Sequence, residues 1–233
     1  MPQALAIETS GRIGSIALID GSDVFAEEQF PYGLQHAAQI VPIIDRLTRS
    51  RGWGAGDLQE LYVSAGPGSF TGLRIGITLA KTLALATRVR LVAVPTVRVL
   101  AENAPPEARH VLIVLDAKRD QIFTARFQRS GDEWQECAPA QLSSLTQMLS
   151  ESPRPLHLIG EGIPYHEKFI PRDDPQVIVT PPSLWRARAS AVAQLGLIMS
   201  ARGAFTDPTA LTPIYIRRPE AEEKLSGERQ GTR

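Results

Sequence analysis

The apolar positions change period several times within the first hundred residues, and each change marks an element. Leu5-Ala6-Ile7 is a short apolar run closed by the polar stretch Glu8-Thr9-Ser10-Gly11-Arg12 and reopened by Ile16-Ala17-Leu18-Ile19. Runs of this length bounded by turn residues read as strands. Asp20-Gly21 supplies a tight turn into a third strand near Val24-Phe25-Ala26, which predicts three antiparallel strands. The period then lengthens. Ala37, Ile40, Val41, Ile44 and Leu47 keep the i, i+3, i+4, i+7 spacing of a helix face over residues 34–49, and Leu34, Ala38 and Ile43 widen that stripe. Pro42 lies inside it, where a missing N–H and a ring clash should kink or break the helix. Residues 58–63 predict a buried strand ending at Ser64-Ala65, and Ser69 or Thr71 can cap a long helix running to about Thr87. Residues 90–94 give another strand, and Pro95-Thr96 opens another helix. The order βββαβαβα predicts a mixed α/β unit.

Asn103-Ala104-Pro105-Pro106-Glu107 is the best boundary, since two prolines in a polar stretch end a helix and stiffen a connection. It divides the chain into residues 1–107 and 108–219, with a polar, aperiodic stretch at 220–233 that is expected to be disordered. The second part restarts like the first: Val111-Leu112-Ile113-Val114-Leu115, then Asp116-Ala117-Lys118-Arg119-Asp120-Gln121, then a strand over 122–127. Glu8 and Asp116 each close an apolar strand, 108 residues apart, which suggests a duplicated unit. Further on, a helix is expected over 142–149, strands at 156–159 and 177–179, a helix over 185–201 and an extended piece at Pro213-Ile214-Tyr215-Ile216.

Charge and composition narrow the function. Lys plus Arg equals Asp plus Glu at 25 each, so no global field draws the chain to nucleic acid or an anionic membrane. A hydrophobic content of 43% with 21% charged residues is that of a folded globular chain. The single cysteine, Cys137, forms no internal disulfide, fits a reducing compartment and reads as inert filler. The opening residues lack the basic-then-apolar pattern of a secretory leader, and no apolar stretch approaches ~20 residues, so a cytoplasmic chain is expected.

The glycine segment Gly66-Pro67-Gly68-Ser69-Phe70-Thr71-Gly72 carries the most chemistry. It is not a dinucleotide fingerprint, because Thr71 takes the last glycine position, nor a P-loop, because Leu73 follows Gly72 where Lys is needed. Pro67 and Thr71 flank Ser69 where a nucleophile elbow needs glycines. What is left is a turn into a helix N-terminus. Gly66, Gly68, Ser69 and Thr71 there, with Glu8, Thr9 and Ser10 at the end of the first strand, are candidates for phosphate, nucleotide or magnesium, or simply two hydrogen-bonded turns. His36, His110, His157 and His166 are 74, 47 and 9 residues apart, so no pair has metal-ligand spacing and no metal site is expected. Gly72, Gly76, Ala80 and Ala84 recur every fourth residue, predicting close approach of another backbone, while Ile75, Leu79 and Leu83 form a second stripe. A helix apolar on two sides is either sandwiched within its own unit or covered by a partner.

Five segments, Ala6-Ile7-Glu8-Thr9-Ser10, Gly66 through Gly76, Asp116-Ala117-Lys118, Gly160-Glu161-Gly162 and Pro213-Ile214-Tyr215-Ile216-Arg217, resemble the TsaB (YeaZ) family over residues 5 to about 218. These are glycoprotease-like subunits of bacterial tRNA threonylcarbamoyladenosine synthesis. The resemblance implies two related α/β lobes of the actin, Hsp70 and sugar-kinase type. It implies a noncatalytic scaffold that forms a heterodimer with TsaD, which transfers threonylcarbamoyl to N6 of adenosine-37 in tRNAs reading codons that begin with A. The TsaE ATPase is implied as a further partner, with a homodimer when the chain is alone and tRNA reached only through the complex. No cofactor of its own is implied, ATP or ADP being expected at the junction of subunits.

The catalytic relative carries an H-x-x-x-H metal-binding pair where this chain reads Val97-Arg98-Val99-Leu100-Ala101-Glu102. The family's interface joins the first two helices of each subunit, which points here to His36, Ile40, Ile43, Ile44, Leu47, Gly72, Ile75, Gly76, Leu79, Ala80 and Leu83. Glu8 stands where the family more often has Asp, one methylene further from the strand end. The rival expectation is an autonomous nucleotide-dependent phosphotransferase or metallopeptidase using the cleft between the lobes.

Overall fold

Alternation along the strands decides the layers. In β1 (Gln3–Glu8), Leu5 and Ile7 face one side of the sheet and Ala4 and Ala6 the other, and all four are fully buried. The same split recurs in β2 (Ile13–Asp20), with Ile16 and Leu18 opposed to Ala17 and Ile19, and in β4 (Glu60–Gly66), with Leu61 and Val63 opposed to Tyr62. Strands covered on both faces carry unbroken apolar runs. These elements come from a computed structural model, which describes residues 2–31, 36–54 and 56–216.

With β3 (Asp23–Pro31) and β5 (Arg90–Pro95) these strands form a sheet ordered β3-β2-β1-β4-β5. Strand β1 is antiparallel to β2, β2 antiparallel to β3, and β1, β4 and β5 are parallel. The Leu5/Ile7 face is covered by α1 (His36–Ser50) and α2 (Phe70–Thr87), through Ile40, Ile43, Leu47, Ile77 and Ala84. The alanine-rich face receives α3 (Thr96–Ala101) and α6 (Ala189–Ala201). Helix α6 lies so close that a Cβ on Gly196 would overlap the Tyr62 ring.

The second sheet repeats the plan. Strand β6 (His110–Ile113), continued by β7 (Leu115–Asp116), stands where β1 stands. Strand β8 (Ile122–Ser130) runs antiparallel to it, β9 (Glu133–Ser143) antiparallel to β8, and β10 (Leu156–Ile159) and β11 (Val177–Val179) follow in parallel. The order β9-β8-β6-β10-β11 matches β3-β2-β1-β4-β5 in sequence and direction. The duplication suggested by aligning Glu8 with Asp116 is therefore present in the topology. Val111, Ile113, Phe127 and Ile159 turn toward α3 and α6, while Leu112, Val114, Leu156 and Leu158 turn outward beneath α4 (Leu145–Glu151) and α5 (Ile163–His166). Helix, sheet, helix, sheet and helix succeed one another, and both repeats share the middle helical layer.

Several expectations shift. Helix α1 runs through Pro42 without a break; Pro42 and Ala38 are exposed, so water can satisfy the carbonyl that loses its partner. Ser69, not Thr71, caps α2, its hydroxyl accepting from Gly72 N–H at 3.3 Å. The helix expected at 142–149 begins at Leu145 because β9 runs to Ser143. The helix expected from Trp185 begins at Ala189, since the Trp185 indole donates to the Thr180 carbonyl at 2.8 Å and holds a turn there. Residues 213–216 make no strand; Ile214 N–H donates to Ala65 O at 2.7 Å and Leu211 is buried against the first sheet. Residues 189–214, grouped by sequence with the second half, thus pack on the first sheet. Cys137 is a free cysteine, exposed on β9. Leu34, Arg217 and the stretch 220–233 lie outside the described residues. Among the described residues no helix is long and apolar enough to cross a membrane.

Candidate functional site

Both central strands end in a carboxylate that turns back on its own chain. Glu8 Oε1 accepts from the Ser10 backbone N–H and from the Ser10 hydroxyl, each at 2.5 Å, and Asp116 Oδ1 accepts from the Lys118 backbone N–H at 3.1 Å. The turn is shared and the surroundings differ. Glu8 is fully buried, which pushes its carboxyl up from the ordinary value against the opposing hydrogen bonds from Ser10. Thr9 is buried under α2, where a Cβ on Gly72 would run into the Thr9 carbonyl oxygen and one on Gly76 into its hydroxyl. The close approach expected of the small-residue stripe is thereby made within the chain, against the end of β1.

This corrects part of the phosphate expectation. Glu8 and Thr9 are covered, and the Gly66 N–H is engaged by Thr96 Oγ1 at 3.2 Å beneath residue 214, so none of the three lines the cleft. Ser10, Gly68, Ser69 and Thr71 line a cavity of about 760 Å³ between the repeats. Its opposite wall carries Leu115, Asp116, Lys118, Arg119, Glu161 and Tyr165. Lys118 Nζ lies 2.9 Å from Asp116, and His166 Nε2 lies 3.2 Å from the same carboxylate. Burial pushes Asp116 up, but the hydrogen bonds and charge of Lys118 outweigh it and hold the carboxyl below its ordinary range. Lys118, Arg119 and Asp120 have φ of 64°, 55° and 56°, three successive left-handed residues at a cost of roughly 1–2 kcal/mol each. Arg12, Tyr165 and His166 were not expected at a site from the sequence, although Gly160-Glu161-Gly162 stands just before the short helix α5 that carries two of them.

The helical face divides in two. Ile40, Ile43, Leu47 and Ala80 are buried in the outer core of the first sheet, and Gly72 and Gly76 lie under Thr9, which corrects their expected role as contact residues. Ile44, Ile75, Leu79 and Leu83 stay partly exposed. Val41, 55% exposed, stands beside them, and Leu85, 59% exposed, lies on the far flank of α2, a position the periodicity did not single out. His36 opens α1, and its side chain lies outside the described residues. Between α1 and α2 a groove of about 320 Å³ opens onto the sheet, walled by Val41, Ile44 and Leu83 and floored by Leu5, Leu61 and Val89.

Comparison with known proteins places this geometry. A family profile described as TsaD: tRNA N6-adenosine threonylcarbamoyltransferase matches residues 32–181. The tRNA threonylcarbamoyladenosine biosynthesis protein TsaB of Bacillus subtilis (strain 168) is 32% identical over 228 residues, 94% of this chain and 96% of that one. The solved structure of YeaZ from Pseudomonas aeruginosa superposes with a TM-score of 0.79 at 23% identity, over 92% of this chain and all (100%) of the other. An inorganic polyphosphate/ATP-glucomannokinase from Arthrobacter sp. strain KM superposes with a TM-score of 0.51 at 13% identity, over 86% of this chain and 100% of that one, a likeness of fold. The duplicated sheets are those of the actin, Hsp70 and sugar-kinase type of fold.

Proposed function

The chain belongs to the TsaB (YeaZ) family of tRNA threonylcarbamoyladenosine biosynthesis proteins, and from that premise we propose that it serves this modification as a noncatalytic subunit docking a TsaD-type catalytic subunit through α1 and α2. The apolar groove between these helices supports the reading most directly: Val41 is 55% exposed beside partly open Ile44, Leu79 and Leu83, and a monomer gains nothing from wetting them. The segment where the resemblance sets the relative's histidine pair is α3, whose Val97, Val99 and Leu100 are core residues of the middle layer. In this reading the partner transfers threonylcarbamoyl to N6 of adenosine-37 in tRNAs reading codons that begin with A, and tRNA is reached through it. TsaE is a further partner, ATP or ADP lodges at the subunit junction, and the free chain pairs with itself through the same face.

Val41→Asp and Leu79→Asp test the placement separately. Each is expected to weaken binding of the catalytic subunit at least ~10-fold, as buried apolar anchors do, read by titration calorimetry. Unchanged binding in both overturns the placement. The cleft favours one competing reading, an autonomous phosphotransferase; turnover of ATP with magnesium by the purified chain alone would support that instead.

A further inference from the structure

We propose that Glu161 is a positioning residue: it latches the two repeats across the mouth of the cleft and so fixes where the second repeat stands beside a partner docked on α1 and α2. The second half of this statement rests on the docking reading above, and the first does not. Glu161 Oε2 accepts from the backbone N–H of Arg12 at 3.0 Å, a bond between residues 149 apart in sequence that spans the repeats. The Arg12 guanidinium continues to the hydroxyl of Tyr165 and lies 5.2 Å from the centre of its ring. Arg186 holds the other carboxylate oxygen at 3.7 Å. The loop opposite sits close: a Cβ on Gly11 would lie 3.1 Å from Glu161 Oε2.

The seat of Glu161 is rigid, which a latch requires. Gly160, at φ +140°, is pressed against Val114 with no room for a Cβ, and a Cβ on Gly162 would lie 2.5 Å from Asp116 N. Gly162 N–H donates to Val114 O at 3.0 Å. The Gly160-Glu161-Gly162 motif is thus accounted for residue by residue. The glycines let the turn lie on the end of the second central strand, and the glutamate between them reaches the first repeat.

The two sides of the cleft are unlike in chemistry. At its back the repeats share one apolar core, which holds Ala6, Tyr62 and Val94 of the first and Val111, Ile113 and Ile159 of the second together with residues of α3 and α6. At its mouth they meet through hydrogen bonds and charge. An apolar back closed in front by polar contacts can hinge as a unit, and in this proposal the latch holds the closed arrangement.

The test is a cross-cleft distance. Nitroxide labels on Thr71→Cys and Asp120→Cys, in a Cys137→Ser background, are read by pulsed electron resonance with and without Glu161→Ala. The closed chain should give one narrow distance, and Glu161→Ala a longer and broader distribution. Glu161→Gln, which keeps an acceptor for the Arg12 N–H, should restore most of the narrow peak. If Glu161→Ala does not fold, Arg12→Ala removes the Tyr165 half of the latch from an exposed loop and should shift the distribution the same way. An unchanged distribution in the folded variant overturns the latch. In the assembled complex, unlabelled Glu161→Ala should bind the catalytic subunit as the parent does, with kcat for tRNA modification lowered on the order of 10-fold or more, because misplacement by about 1 Å can cost ~100-fold. Normal kcat, or lost binding, refutes the positioning role. Failure of the docking reading would show instead as unaltered binding by Val41→Asp and Leu79→Asp.

Discussion

The two repeats share a strand plan and differ in what they put on it. In the first, the outer face of the sheet is covered by α1 and α2, of 15 and 18 residues; in the second the corresponding connections carry α4 and α5, of 7 and 4 residues. The short helices, with Phe169 and Trp185 packed beside them, are enough to bury Leu112, Val114, Leu156 and Leu158. A sheet of this kind therefore does not need helices as long as α1 and α2 to be sealed. Their inner stripe seals the core, and their outer faces hold Val41 and Leu85 in solvent. Surplus helix on one of two equivalent faces is the strongest structural sign of what that face is for.

The largest effect expected from breaking this contrast is at the seat of α2. Gly76→Val places a branched side chain where even a Cβ overlaps the Thr9 hydroxyl, and overpacking against a fixed strand end should cost about 3 kcal/mol or more. The second repeat has no long helix seated on its central strand. Gly131→Ala, at φ +61° with open space around it, should cost only about 1 kcal/mol, from conformation alone. Urea unfolding of both variants checks this. Equal losses would mean that α2 is not seated by its glycines.

A smaller effect is expected on self-association. Ile44→Asp combined with Ile75→Asp should weaken pairing of the free chain by at least ~10-fold, about 1.4 kcal/mol, in sedimentation equilibrium. Thr146→Asp, exposed on α4 of the second repeat, should leave it unchanged. A reversed ranking would transfer the docking face to the wrong repeat.

How far the sequence could be read follows from the same contrast. Edge strand β3, polar over Glu27-Glu28-Gln29, showed only at residues 24–26; strands β1, β2, β4 and β5 were legible because they carry nearly continuous apolar runs, and α1 and α2 because their stripes span several turns. Strand β9 was not, because it lies at a sheet edge with Trp134 its only buried side chain, and α5 is too short to show a period. The apolar breadth of α1 and α2 was plain, but a stripe facing its own sheet and one facing solvent read alike. Only packing tells that Ile40 faces inward and Val41 outward. Glu8 looked like a ligand residue for a similar reason: its carboxyl is buried beside Ser64 of the neighbouring strand, fifty-six residues away, and nothing near Glu8 announces that. Asp116 carries the same turn signal and does reach the cleft.

That pair of carboxylates gives the finest test of the contrast, because their environments predict opposite dependence on pH. The Glu8 carboxyl is raised above its ordinary 4.5 by burial, so the folded chain keeps a proton that the unfolded chain has released. Its contribution is full below 4.5 and declines as pH rises through the folded value. Glu8→Gln should flatten this slope and raise stability at pH 8 by about 1 kcal/mol, the buried amide still accepting from the Ser10 N–H. Asp116 is held below its ordinary 3.8, where burial is outweighed by Lys118, so its contribution stands above 3.8 and is lost as pH falls through the folded value. Asp116→Asn should lower stability at pH 8, by less than ~1 kcal/mol because the pair is screened by solvent at the cleft, and should change little once the carboxyl is protonated. Urea midpoints across pH 3 to 8 resolve both slopes. Shifts of the same sign at pH 8 would show that the two strand ends, alike in their turns, are alike in their surroundings as well.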